Sequence, residues 1–394
     1  MSNNTMTEME RHFGVSNSNA GTSICEKLRV AVVHDWLPLY GGAERVLEQI
    51  LHLFPKADLF TLMEALPLPG KAFLNGIRPR TSFIQRLPFS AKAYRHYFPL
   101  MPFAVEQFDL SAYDIVISSS SAFAKGVLTG PDQLHICYCH SPIRYAWEMQ
   151  HQYLAKQSFI SSVVARLFFH YIRMWDSRTS NGVNLFIANS KFIARRIKKA
   201  YGRESLVIHP PVDIASFTPC AEKSDYFLTA SRFVPYKRVD LLVNAFARMP
   251  DKKLVIIGDG PEFHRIKRMA TANISLLGHQ PHNILREHMQ NARAFVFSAE
   301  EDFGITLVEA QASGTPVIAY GRGGARETVI HGETGLLFDA QTETAIIRAV
   351  EAFEQTSFHP EAIRRNAERF SIEKFRKFFM EAVEYEYLNH LCNI

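Results

Sequence analysis

Cysteine is scarce in this 394-residue chain. There are five, Cys25, Cys137, Cys139, Cys220 and Cys392, an odd count with no Cys-x-x-Cys spacing. A disulfide framework or a structural zinc site is therefore not expected, and buried thiols in a reducing compartment are. Long apolar runs are missing as well: no stretch reaches the roughly 18–20 residues needed to span a bilayer. Residues 1–24 are rich in Ser, Asn, Thr and Glu and lack the basic-then-apolar order of a secretion signal. They are expected to form a disordered leader on a cytoplasmic protein. Strong charge of one sign is absent too. The net +5, with 21% charged residues, permits contact with an anionic ligand or membrane surface and points to no nucleic-acid partner. No Gly-x-Gly-x-x-Gly follows the first apolar strand, which argues against a dinucleotide-dependent dehydrogenase.

What is present is an ordinary globular composition, 47% hydrophobic, in a chain long enough for two cores. Leu28 to Val33 is a buried-type strand, followed by Gly41-Gly42 and a segment, Ala43 to Phe54, with helical periodicity. Strand, glycine turn and helix open a parallel α/β unit. Further strands are expected at 58–62, 114–118, 135–139, 184–188 and 206–209. After Pro210-Pro211 the pattern restarts, with strands at 226–230, 253–257, 274–277, 294–298 and 316–319 alternating with helices near 239–249, 262–272, 282–292 and 305–313. The reading is an α/β chain of two doubly wound domains, 25–209 and 210–370, with a final helical segment, 371–394, packing back on the first domain.

Two segments stand apart. Ile77 to Val105 carries Arg78, Arg80, Arg86, Lys92 and Arg95, interleaved with Phe83, Phe89, Tyr94, Tyr97, Phe98 and Phe103, and no acidic residue. It reads either as a docking surface for an anionic lipid headgroup or lipid-linked acceptor, or as a partly buried helical insertion. Phe159 to Trp175 places nine apolar residues on one helical stripe, read as core, with a membrane-surface role as the alternative.

In open α/β sheets ligands collect at the carboxyl ends of strands, and that rule selects four motifs. Gly41-Gly42-Ala43-Glu44 opens a helix whose unpaired N–H groups and side-chain-free backbone suit a phosphate or sugar. Arg232 and Lys237, five residues apart, can clamp a diphosphate. Gly258-Asp259-Gly260-Pro261 is a tight turn at the same sheet end. Glu301-Asp302-Phe303-Gly304-Ile305-Thr306-Leu307-Val308-Glu309 sets two carboxylates around a glycine, suited to sugar hydroxyls, with the Gly304 and Ile305 amides at a helix start.

Taken together, and with Pro211-Val212-Asp213 and Gly314-Thr315-Pro316-Val317-Ile318 in order and spacing, these motifs resemble family 4 retaining glycosyltransferases. The likeness runs over about residues 28 to 385. It implies the GT-B fold, two Rossmann-like domains facing across a cleft, and no cofactor beyond a nucleotide-sugar co-substrate. It also implies roles: Arg232 and Lys237 on the donor diphosphate, Glu309 on the ribose, Glu301 on the sugar hydroxyls. Gly41, Gly42, Gly258, Gly304 and Ile305 would contact the donor through backbone, and His140 would sit beside the reacting sugar. One departure is Ser231, where many members carry glycine. His140-Ser141-Pro142-Ile143-Arg144-Tyr145-Ala146-Trp147-Glu148 looks like a bacterial branch of mannosyltransferases in O-antigen and exopolysaccharide assembly, with Arg144, Tyr145 and Trp147 as acceptor-side candidates.

The absence of Asp-x-Asp fits an enzyme that needs no metal. The expectation is transfer of a hexose, mannose from GDP-mannose, to a lipid-linked oligosaccharide at the inner membrane face, the protein being peripheral there. Alternatives are a UDP-sugar donor, a sugar-nucleotide epimerase or phosphorylase of the same fold, and a binding module without chemistry.

Overall fold

The computed structural model describes residues 28–154, 158–220 and 222–392. The expected leader, 1–24, lies outside them. The chain divides into two units. The first comprises the residues up to Asn189, Ile193–Ile208 and those from Phe375 onward; the second comprises Ser190–Phe192 and His209–Lys374.

The first unit is built on seven parallel strands: β1 (Val30–His34), β2 (Asp58–Thr61), β3 (Arg80–Thr81), β4 (Ile115–Ser120), β5 (Leu134–Cys139), β6 (Leu185–Ala188) and β7 (Leu206–Val207). Their order is β3-β2-β1-β4-β5-β6-β7. β1, β4 and β5 are buried at every position, because helices cover both faces of a parallel sheet. On one face Val46, Leu47 and Ile50 of the helix Gly42–Leu53 pack with Phe375, Phe379, Ala382 and Val383 of the last helix, Ile372–Cys392. On the other, Met101, Ala104 and Val105 of Met101–Glu106 pack with Phe169, Ile172 and Trp175 of Phe159–Thr179.

The second unit repeats the plan with β8 (Phe227–Ala230), β9 (Leu254–Ile257), β10 (Ile274–Gly278), β11 (Ala294–Phe297), β12 (Val317–Tyr320) and β13 (Gly335–Phe338), in the order β10-β9-β8-β11-β12-β13. In each sheet the order reverses once, between β1 and β4 and between β8 and β11. A doubly wound sheet leaves its ligand crevice at the carboxyl side of that switch point.

Two strands are additions to the sequence reading. β3 is two exposed residues with no apolar signal. β13 begins at Gly335, where a Cβ would overlap the Val317 carbonyl, so the strand opens on a residue that reads as a turn. The single-stripe reading of 159–175 is corrected. Phe169, Ile172 and Trp175 are buried, whereas Val163, Val164, Leu167, Tyr171 and Met174 are exposed. The apolar arc is wider than the surface available to cover it. The 77–105 segment carries β3 and then folds into short helical turns. Ile84, Met101, Ala104 and Val105 are buried and Phe98 stacks on Trp36 at 5.5 Å, while Phe89 and Phe103 stay outside. The four cysteines among the described residues are free thiols, with Cys137 and Cys139 buried in β5. No helix among the described residues is long and apolar enough to cross a membrane.

Candidate active site

In the second unit the loops leaving β8 and β11 meet at the switch point. Lys237 lies in the 3-10 turn Pro235–Lys237 after β8, and its ammonium forms an ion pair with the Glu301 carboxylate beyond β11. Both side chains are mostly buried, and the ammonium also lies 5.5 Å from the centre of the Phe297 ring. The Ser298 hydroxyl donates to the Arg238 carbonyl at 2.8 Å, tying the two loops a second time. Arg232 is exposed on the β8 loop.

That loop is shaped by the glycines after β9. Gly258 has φ +140°, and a Cβ there would overlap the Ser231 carbonyl; a Cβ on Gly260 would stand 2.6 Å from the Phe233 carbonyl oxygen. The Phe233 N–H donates to the Asp259 carbonyl at 2.8 Å. Gly258 thus acts first as the seat of the Arg232 loop. The Glu301 loop has a similar seat that sequence reasoning missed. Glu301 bridges to Gly323, the Gly324 N–H donates to the Glu301 carbonyl at 2.8 Å, and a Cβ at Gly323 would overlap that same carbonyl. The signal was the adjacent pair Gly323-Gly324, which reads as an ordinary turn without the fold.

Gly304 precedes the helix Ile305–Ala312 in the left-handed region, φ +90°, where a side chain would be strained. The first amides of that helix, from Ile305 and Thr306, have no intrahelical acceptor, and the helix start favours negative charge. Glu309 lies one turn inside it and is buried.

In the first unit the switch point carries a different cluster. Gly41 caps Gly42–Leu53 in extended conformation and its N–H donates to the Glu44 carboxylate at 2.9 Å. His140 follows β5. Its Nε2 is 2.9 Å from the Ser119 hydroxyl, and its carbonyl accepts from the Asn189 amide at 3.0 Å. Burial, and then the neighbouring His34, pushes the His140 imidazole down to about 3. Asp35, which sequence reasoning left without a role, accepts N–H bonds from Ser121, Ala122, Phe123 and Ala124 at 2.5–2.9 Å and so fixes the loop after β4.

The three acceptor-side candidates are placed as follows. Arg144 Nε lies 3.4 Å from the Ser141 hydroxyl. The Tyr145 ring stacks on Phe98 at 5.5 Å, and its buried hydroxyl has no partner among the described residues. The Trp147 indole N–H donates to Asp176 at 2.8 Å. Asp176 is in turn paired at 2.7 Å with Lys125, both fully buried, so Trp147 is tied to an interior ion pair.

Comparison with known proteins decides the family. The model "Glycosyl transferases group 1" matches residues 214–370, and "Glycosyltransferase Family 4" matches residues 40–216. The chain belongs to the group 1, family 4 glycosyltransferases. Among curated relatives of this family, a GDP-mannose-dependent alpha-(1-6)-phosphatidylinositol monomannoside mannosyltransferase of Mycolicibacterium smegmatis is 31% identical over 205 residues, 44% of this chain and 53% of the relative. The chain spans about half the length of the curated relatives it matches. Two solved structures show the same fold. Anabaena HepE in complex with UDP-glucose has a TM-score of 0.67 at 19% identity, over 90% of this chain and 99% of that one. The lipopolysaccharide outer core galactosyltransferase WaaB has a TM-score of 0.64 at 20% identity, with the same coverage. The fold is GT-B, with both parallel sheets accounted for.

Proposed function

We propose that this chain is a retaining glycosyltransferase that moves a hexose, mannose from GDP-mannose, onto a lipid-linked oligosaccharide. The observation that carries the reading is the Lys237–Glu301 pair at the switch point of the second sheet, beside the helix start at Gly304. A cation, a carboxylate and free helix amides at one sheet end match the three parts of a nucleotide-sugar: diphosphate, sugar hydroxyls and phosphate oxygens.

In this reading Arg232 and Lys237 neutralise the diphosphate as the bond between anomeric carbon and phosphate oxygen breaks. The Gly304 and Ile305 amides take part of the same charge. Glu301 receives hydrogen bonds from the sugar, Glu309 from the ribose. The Gly41, Gly42 and Gly258 backbone contacts the donor. The acceptor hydroxyl forms the new bond on the face the diphosphate leaves, and its proton passes to a departing phosphate oxygen; the products are a nucleoside diphosphate and a glycoside. Charge on the leaving group is met by side chains and amides, so the proposal calls on no metal and no further cofactor. His140 of the first unit sits beside the reacting sugar, with Arg144, Tyr145 and Trp147 shaping the acceptor side. The mannosyltransferase relative supports GDP-mannose and a lipid-borne acceptor, and the exposed apolar residues of the first unit support work at a membrane surface inside the cell.

A UDP-sugar donor is the second reading, supported by the UDP-glucose held by HepE. A thermal-shift series with GDP-mannose and UDP-glucose separates the two. The preferred donor at about 100 times its Kd is expected to stabilise by about 2.7 kcal/mol. Stabilisation by neither would overturn the proposal, and an epimer of the donor sugar released without an acceptor would move it to the epimerase class.

A further inference from the structure

One chain of polar side chains in the first unit has no assigned purpose. The Gly41 N–H donates to Glu44 Oε2 at 2.9 Å, and Glu44 Oε1 stands 3.5 Å from His34 Nε2. His34 Nδ1 is 3.1 Å from the Ser119 hydroxyl, which is 2.9 Å from His140 Nε2. Glu44, His34, Ser119 and His140 are all buried. His34 and Ser119 are register partners across β1 and β4, so their approach is set by the sheet and not by a mobile loop.

The proton count in this chain is constrained. A serine hydroxyl has one proton, so Ser119 donates to one imidazole and accepts from the other. The Glu44 carboxylate only accepts, so the His34 nitrogen facing it carries the N–H. At a pH well above the ordinary histidine range, where an imidazole carries one N–H, the other nitrogen of His34 then accepts from Ser119. Ser119 must in turn accept from His140 Nε2–H, and His140 Nδ1 keeps its lone pair. That Nδ1 has no hydrogen-bond partner among the described residues.

We propose that Glu44, His34 and Ser119 are positioning residues that hold His140 as its Nε2–H tautomer, so that Nδ1 accepts a hydrogen bond from a sugar hydroxyl during transfer. The proposal rests on His140 lying beside the reacting sugar. The low proton affinity of the buried His140 ring keeps it neutral, as this tautomer requires.

Nitrogen-15 NMR of the histidine-labelled full chain, well above the ordinary histidine range, reads the tautomer directly. With 16 histidines in the chain, the His140 signals are assigned by their loss in His140→Gln. Wild type is expected in the Nε2–H form. Ser119→Ala removes the acceptor and should shift His140 to a mixture of tautomers, with kcat reduced about tenfold and donor Kd unchanged. Ser119→Thr keeps the hydroxyl and should restore both readouts. A wild-type His140 protonated on Nδ1 overturns the proposal, as does a Ser119→Ala variant with altered tautomer and wild-type turnover. Donor stabilisation of each variant reports that it is folded. Absence of any transfer by wild type counts against the proposed function alone, because the tautomer signal still decides whether the chain sets His140.

Discussion

Lys237 and Glu301 are 64 residues apart in sequence. Their pairing comes from the adjacency of β8 and β11, which the motif spacing alone does not state. Each was legible as a residue type after a strand; that they touch was not. The pair also explains why the ammonium can lie in a mostly buried place, since Glu301 supplies the opposite charge; in the proposed function a diphosphate would take over that role. Lys237→Ala should therefore remove a cation from the leaving group, and kcat/KM should fall about 10²- to 10³-fold. Glu301→Gln keeps the shape and removes the charge, and should chiefly weaken use of the donor sugar. Steady-state kinetics with the preferred donor checks both, and a Lys237→Ala enzyme within about threefold of wild type would remove Lys237 from the site. Asp35 shows the opposite case. An aspartate after a strand is a common sequence feature, and only the fold reveals the four amides it gathers.

Among the elements, the helix Phe159–Thr179 departs furthest from what its sequence suggests. Nine apolar residues on one arc predicted core, yet Val164 and Leu167 are 62% and 69% exposed. Periodicity reports that an arc is apolar, not how much of it a neighbour covers. Here the sheet side takes Phe169, Ile172 and Trp175, with Phe168 partly buried against them, and leaves Val163, Val164, Leu167 and Tyr171 exposed, with Arg166 among them. An apolar arc beside cations is the pattern of a helix lying in a lipid interface. If the acceptor is lipid-borne, the double variant Val164→Asp, Leu167→Asp should bind anionic liposomes about tenfold more weakly or worse, because each side chain loses apolar burial and gains repulsion. Flotation measures this, and equal recovery of variant and wild type would assign the arc to another partner. The strands were easier to read. Continuous apolar runs such as Ala294-Phe295-Val296-Phe297 mark a strand buried on both faces, whereas Arg80-Thr81 carries no such mark and forms β3 through pairing with Phe60 and Thr61 alone.

The order of the whole chain differs from the order of its cores. The first unit is completed only after the second has been spelled out, because Phe375, Phe379, Ala382 and Val383 of the last helix are buried in its core. The Tyr138 ring of β5 lies 5.9 Å from Phe375 and 6.4 Å from Phe379, and the Arg376 guanidinium donates twice to Gln49 at 2.9 and 2.6 Å. The second unit has its own sheet and clusters of buried residues, none of them from this helix. Two units of this kind need not unfold as one. Phe379→Ala should cost about 3–5 kcal/mol in the first unit through the cavity it leaves. If the donor binds at Arg232, Lys237, Glu301 and Glu309 as proposed, the nucleotide-sugar should stabilise the second by mass action. Calorimetry with and without the donor is then expected to show two transitions, one lowered by Phe379→Ala and the other raised by the ligand. A single transition that answers to both would mean that the units share their stability, and that the last helix supports the second unit as well as the one it is packed in.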